Sequence, residues 1–356
     1  MSSLLSRLAT VAAYGATQAP RLAWYAGHGL AMRRLSQTAR QLEGAPARAP
    51  ARTSKPTPDR NRHLADMTDL LKRDLANVGA GLYPLPIDYD GSLPTLLKRS
   101  RLFFEDLPRV HRRRRENGHS DVLEETTRGK RPRYYLQNFH FQSGGWMTDE
   151  SAQRYDTQVE VLFSGTANAM RRQALPPLHE IFAGCDQRRL RLLDVGSGTG
   201  RFLASVKQVW PRLPVIGLDL SESYTREARR HLARWSAVEL VVAKAEAMPL
   251  PDASQDAVTS VFLFHELPPA VRRLVFGEFA RLLKPGGRLV LVDSLQYGDK
   301  PEYDGSLELF PQNFHEPYFD SYAREDFGAL AASKGLRHVR DIQAFVSKVM
   351  IFDKVG

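Results

Sequence analysis

Cysteine is nearly missing: one, Cys185, stands in 356 residues. A single thiol excludes a disulfide framework, a zinc cluster and a CxxC redox pair, and it argues against arsenite methylation, which uses several thiolates. Cys185 is expected to be a small buried side chain. Long apolar runs are missing too. No stretch reaches the roughly eighteen residues of a membrane-spanning helix. Acidic residues are absent from positions 1–40, which carry Arg7, Arg21, Arg33, Arg34 and Arg40 among Leu4, Leu5, Leu8, Trp24, Tyr25 and Leu30. That composition fits a basic amphipathic arm on an anionic membrane surface, a mitochondrial transit peptide, or a helix packed on the rest of the chain. The expected location is cytoplasmic or peripheral on an inner membrane, with the mitochondrial matrix as the alternative.

What is present is ordinary for a soluble globular protein: 42% hydrophobic and 25% charged residues. The net charge is +10, with 39 Arg against 11 Lys. The arginines are dispersed, and the one dense run, Arg112–Arg115, lacks the interleaved aromatics of a base-stacking surface. Nucleic acid is therefore not an expected partner; a solvated face or an anionic membrane contact is. The chain divides into a basic arm (1–43), a Pro/Ala-rich linker (44–60), a helical and irregular extension (61–149) that includes a polar loop over 111–132, and a larger region (150–356).

In that last region Tyr155–Ala174 reads as one helix. Strands expected at Leu190–Val195, Val215–Leu220, Val238–Ala243, Ala257–Phe262 and Arg288–Asp293 then alternate with helical patterns. Val339–Ala344 and Lys348–Asp353 follow with only a short connection between them. The expected fold is α/β: a doubly wound, mostly parallel, Rossmann-like seven-stranded sheet ending in an antiparallel hairpin, with a mainly helical N-terminal extension.

The strongest motif is Leu193-Asp194-Val195-Gly196-Ser197-Gly198-Thr199-Gly200, at a strand end before a helix. Ligands bind beyond the carboxyl ends of such strands, and glycine lets a ligand approach the backbone. A dinucleotide fingerprint would need glycine at 201 or 203, where Arg201 and Leu203 stand; a Walker A loop would need a following Gly-Lys-Ser/Thr. Asp219 ends the second strand, where a carboxylate can accept both ribose hydroxyls. Lys244-Ala245-Glu246-Ala247-Met248-Pro249-Leu250 follows the third, where a backbone N–H can bond adenine and Met248 or Leu250 can pack on its face. Lys284-Pro285-Gly286-Gly287 reads as a structural turn.

From about residue 150 the chain resembles the ubiquinone/menaquinone biosynthesis C-methyltransferases, a class I family. Tyr155-Asp156, Gly165, Arg171-Arg172, the segment AEAMPLPDASQD (245–256) and LLKPGGRLVLV (282–292) carry the likeness. The resemblance implies S-adenosylmethionine as cofactor, held by Asp194, Gly196, Ser197, Gly198, Gly200, Asp219, Leu220, Ala245, Glu246 and Phe262. Two departures stand out. Lys244 replaces an acid or amide, and Phe264-His265-Glu266-Leu267-Pro268-Pro269 replaces the family's Arg-Asn pair near the transferring methyl group.

Methyl transfer from a sulfonium is mostly alignment; a base is needed only when the acceptor loses a proton. His265 is the candidate base, with Glu266 orienting it or facing the cofactor. Tyr155, His315 and Tyr318 are candidate acceptor contacts, and Phe139, Phe141 and Trp146 could complete the wall. No metal is expected. The function expected is methyl transfer to a small lipophilic, quinone- or phenol-like acceptor. The alternatives are a protein or RNA methyltransferase, or a non-catalytic binding protein with the same fold.

Overall fold

A computed structural model describes residues 4–42, 52–88, 90–123 and 131–356. Three helices come first: α1 (Leu4–Leu42), α2 (Arg60–Gly79) and α3 (Leu93–Glu116). They are followed by α4 (Asp149–Leu162), α5 (Ala167–Arg172) and α6 (Leu175–Phe182). The alternating part runs β1 (Leu192–Val195), α7 (Arg201–Val209), β2 (Val215–Asp219), α8 (Glu222–Leu232), β3 (Val238–Val242), β4 (Gln255–Val261), α9 (Pro269–Leu282) and β5 (Leu283–Ser294). It closes with α10 (Asp304–Asn313), α11 (Phe319–Ala323), α12 (Phe327–Ala332), β6 (Leu336–Ala344) and β7 (Ser347–Lys354).

The seven strands lie in the order β3-β2-β1-β4-β5-β7-β6. The first five are parallel, and β7 inserts antiparallel between β5 and β6. Strand alternation divides the core into two layers. Leu289 and Leu291 face Phe276 and Phe279 of α9 and Phe327 of α12, while Val290 and Val292 face the layer of Phe202 and Leu203 from α7 and Leu175 and Leu178 from α6. Strand order reverses beside β1, so the carboxyl ends of β1 and β4 diverge into a crevice.

Several expectations are corrected. The single helix over 155–174 is broken: Ser164 and Gly165 take φ of 52° and 86° between α4 and α5. The cause is α1, which crosses so closely that a Cβ on Gly165 would sit 3.1 Å from the Leu22 Cα. Cys185 is exposed, in the turn after α6, rather than buried. The polar loop over 111–132 is helical through Glu116, with Asn117 as a left-handed cap; 124–130 lie outside the described residues. Nor is the Arg112–Arg115 run a solvated face throughout, because Arg113 is buried and donates to Asp121, the Phe141 carbonyl and Ser143. Of the linker, 44–51 lie outside the described residues. The remainder straps onto α10: the Gly305 N–H donates to the Pro56 carbonyl at 2.7 Å and the Thr53 hydroxyl to Glu308 at 2.6 Å. The basic arm is the long helix α1, with Tyr14 and Tyr25 buried. No helix among the described residues is long and apolar enough to cross a membrane.

The N-terminal helices are sewn to α4 and α5 by buried ion pairs. Arg172 reaches Asp74 of α2 through two bonds of 2.6 and 2.9 Å and Asp88 at 2.5 Å. Asp74 also accepts from the hydroxyls of Tyr14 (2.7 Å) and Tyr83 (2.6 Å). Arg21 of α1 pairs with Asp90 at 2.7 Å and Glu160 of α4 at 2.6 Å. Burial alone would raise the Asp88 carboxyl, but Arg172 and Arg21 hold it well below the usual carboxylate range. Removing Asp74 leaves the buried Arg172 with Asp88 alone and strands the buried Tyr14 and Tyr83 hydroxyls. Asp74→Ala is therefore expected to cost ~3–5 kcal/mol in urea unfolding; a loss below ~1 kcal/mol, the scale of a surface pair, would contradict this reading of the seam.

Candidate active site

The loop after β1 is held from three sides. The Gly196 and Ser197 N–H groups both donate to the Leu218 carbonyl, at 2.8 and 3.1 Å. The Gly198 N–H donates to Asp219 Oδ2 at 2.8 Å, and the Ser221 N–H to Oδ1 at 2.7 Å. Asp156 of α4 accepts from the Thr199 hydroxyl (2.6 Å) and from Arg201 (2.8 Å), which ties the loop to the N-terminal half. Gly198 has φ of 53°, and a Cβ there would find nothing nearer than the Gly196 carbonyl at 4.0 Å. That open space belongs to a cleft bounded by Gly196, Asp219, Leu220, Ala245, Phe262 and Glu266. Tyr155, Trp146 and Tyr224 wall its far side, edge to face with centroids 5.3–5.6 Å apart.

Tyr155, Phe262 and Glu266 also line a second, largely apolar cavity of about 300 Å³, with Leu307, Phe310 and Phe319 opposite. His140, Tyr155, Val159 and Leu162 pass from that cavity into a third, about 330 Å³, which reaches Met32 and Ser36 of α1. The cleft thus opens into an apolar passage roofed by the N-terminal helices.

Ionisable groups gather at the junction. His265 Nδ1 lies 2.6 Å from Asp293 Oδ1, and the Phe264 N–H donates to Asp293 Oδ2 at 2.8 Å. Burial opposes a charged imidazole, yet Asp293 wins and raises the His265 pKa. Burial, with Asp293 added, raises Glu266 as well. Burial and the neighbouring His265 and His315 push His140 down to about 3. Glu316 lies 3.1 Å from His140, and burial pushes its carboxyl well above the usual range.

The expected residues are placed as follows. Gly196, Gly198, Asp219, Leu220, Ala245, Phe262 and Glu266 line the cleft. Asp194 is buried behind it, accepting from the Thr259 hydroxyl at 2.7 Å. Ser197 and Gly200 are not in the lining; a Cβ on Gly200 would strike Leu232 of α8 at 2.9 Å, so this glycine serves helix packing. Glu246 is turned away from the cleft and accepts from the Tyr134 hydroxyl at 2.9 and 3.1 Å. Lys244 is exposed, and Met248 is buried, outside the cleft lining. Tyr155 lines all three cavities. His315 and Tyr318 line none of them: His315 contacts Gln137 at 2.6 Å and stacks on His119, and the Tyr318 carbonyl accepts from Arg272. Trp146 lies in the wall, whereas Phe139 and Phe141 are packing residues. Asp293, not Glu266, orients His265.

Sequence reasoning missed Asp293, His140 and Glu316. An acid at the carboxyl end of β5, next to β4, was a usable sign for Asp293. His140 and Glu316 belong to irregular segments that no periodicity marks.

Residues 192–287 match the family model described as "Methyltransferase domain". The chain carries a class I methyltransferase domain. The domain's relatives include the demethylmenaquinone methyltransferase of Thermus thermophilus, 34% identical over 148 residues, 41% of this chain and 64% of that one. The ubiquinone/menaquinone biosynthesis C-methyltransferase of Syntrophotalea carbinolica is 33% identical over 149 residues, 42% and 60%. A malonyl-[acyl-carrier protein] O-methyltransferase of Xylella fastidiosa is 36% identical over 102 residues, 28% and 33%. The chain thus spans about three-fifths of the length of the two quinone-related proteins. The cofactor of this domain class is S-adenosylmethionine. The methyltransferase domain fits it: the space over Gly198 admits a ligand at the backbone, and Asp219 presents a carboxylate to the cleft with both oxygens steered by backbone donors.

Asp194 makes a test of the site's cost. Burial raises its pKa from 3.8 to about 7. The folded state therefore binds its proton more tightly than the unfolded chain, and stability is lost as pH rises through about 7. Asp194→Asn is expected to melt higher than the parent in cofactor-free protein at pH 8, with the gap closing below pH 4. A variant that melts lower at pH 8 would contradict the assignment.

Proposed function

We propose that the chain transfers a methyl group from S-adenosylmethionine to a small lipophilic acceptor with a phenol- or quinone-like head. The observation that carries this reading is the continuity of the cleft with the apolar cavities through Tyr155, Phe262 and Glu266. S-adenosylmethionine supplies an activated methyl group when bound. Asp219 would hold the ribose hydroxyls, the Ala245 N–H would bond the adenine ring, and buried Asp194 would offset the ammonium end. Tyr155 and Phe262 press the acceptor ring towards the cleft. His265, fixed by Asp293, and Glu266 face the acceptor's head group from the cavity wall. Val159, Leu162 and Phe310 receive an apolar tail.

The passage ends at Met32, Arg33 and Ser36 of α1. On the outer surface of α1, Leu5, Leu8, Val11, Leu30 and Leu35 are exposed beside Arg7, Arg33 and Arg34. This supports entry of the acceptor from an anionic membrane surface against which α1 lies.

Calorimetry tests the donor half. The protein is expected to bind S-adenosylmethionine at micromolar concentration, and Gly198→Val, whose side chain fills the open space, to lose at least about tenfold in affinity, ~1.4 kcal/mol. Binding of a nicotinamide dinucleotide instead would overturn the donor. Leu162→Trp tests the acceptor half. It should raise KM for long-tailed acceptors while leaving short ones unaffected; equal effects on both would remove the tail passage.

A further inference from the structure

Three metal-competent side chains, with His265 beside one of them, meet where the cleft joins the apolar passage. Oxygen or nitrogen atoms of His140, Glu266 and Glu316 lie within 4.8 Å of one another. His140 Nε2 stands 3.1 Å from Glu316 Oε1 and 4.0 Å from Glu266 Oε1; His265 Nε2 stands 3.8 Å from the same Glu266 oxygen. Ligands bound at ~2.1 Å around one ion are separated by at most ~4.2 Å, and the distances of 3.1, 3.8 and 4.0 Å lie within that reach.

Two further observations separate this group from an ordinary acidic cluster. Glu316 is 2% exposed, and neither of its carboxylate oxygens makes an aligned hydrogen bond, His140 Nε2 at 3.1 Å being the near neighbour of Oε1. A buried carboxylate in that condition is unfavourable unless a proton or a cation accompanies it. The second is the arrangement behind His265. Its Nδ1 engages Asp293, itself held by the backbone N–H groups of Phe264 (2.8 Å) and Ser294 (2.7 Å), and this leaves Nε2 towards Glu266. Metal-bound histidines are oriented by an outer carboxylate in this way.

We propose that His140, His265, Glu266 and Glu316 bind a divalent first-row transition-metal ion, and that the ion takes the oxygens of the acceptor's head group as its exchangeable ligands. Two imidazoles with two carboxylates suit manganese, iron, cobalt or zinc better than magnesium or calcium. The position supports the second half: Glu266 borders the cofactor cleft, while His140 and His265 border the passage. An ion between them would lower the pKa of a coordinated phenol and fix its ring against Tyr155, the two things an alignment-limited transfer requires. This second half rests on the acceptor class proposed above; the metal site itself does not.

The test is a titration of the full cofactor-free chain with cobalt(II), followed by visible ligand-field absorption. One equivalent is expected to bind. Glu316→Gln and His140→Ala should each weaken it at least about tenfold, and Asp293→Asn, which touches no ligand atom of the ion, by ~10–100-fold. S-adenosylhomocysteine binding, measured in parallel, shows that Glu316→Gln is folded. Absence of a cobalt band in the parent protein, or a band that survives Glu316→Gln unchanged, overturns the site. Pyrocatechol added to the cobalt form should shift the band; an unmoved band overturns coordination of the acceptor. If cobalt binds and S-adenosylmethionine does not, the methyl-transfer reading fails and the metal site stands; the converse result separates them the other way.

Discussion

The site depends on a seam of buried arginine–aspartate pairs. Arg172 on Asp74 and Asp88, Arg21 on Asp90 and Glu160, and Arg201 on Asp156 link the N-terminal segment, α4, α5 and α7. Each ion has paid its desolvation only because its partner is fixed. The consequence is registry. α1 is brought so close to the break after α4 that only glycine fits at 165, and Arg21 donates to the Gly165 carbonyl. That break lets α4 deliver Tyr155, Val159 and Leu162 to the passage while Asp156, on the neighbouring face, grips the glycine-rich loop. The extension is therefore a wall of the site rather than an appendage to it.

The sheet and its cofactor end were legible because they are written in local patterns. Short β-branched runs alternate with helical spacing, and Gly196, Gly198 and Asp219 stand at strand ends where geometry demands them. The acceptor end was not, for equally physical reasons. His140 lies in an irregular turn with φ of 53°, and Glu316 between two short helices; they meet only because α3 and α10 pack around the same junction. His315 and Tyr318 were conspicuous in sequence, yet Gln137 and His119 engage His315, and Gln137 engages the Tyr318 side chain. Glu246 was claimed by Tyr134 in the same way. Polar residues in an aromatic-rich segment are as readily consumed by satisfying their neighbours as by touching a ligand.

The carboxyl ends of β1, β2 and β5 concentrate acidic side chains: Asp194, Asp219 and Asp293, joined by Glu266 and Glu316. A fold selected for stability alone would not bury so many acids beside so few cations. The crowding makes sense if positive charge arrives with ligands, the ammonium end of the cofactor near Asp194 and the proposed ion near Glu316. Stability is then highest in the loaded protein, and each ligand relieves a penalty that the empty fold carries.

The central claim is that the methyl group leaves the cleft into an apolar passage. It is tested by incubating the protein with methyl-labelled S-adenosylmethionine and a lipid extract, then partitioning the products. The account predicts label in the organic phase, abolished by Gly198→Val. Label confined to acid-insoluble protein or RNA, or no transfer in any fraction, would contradict it.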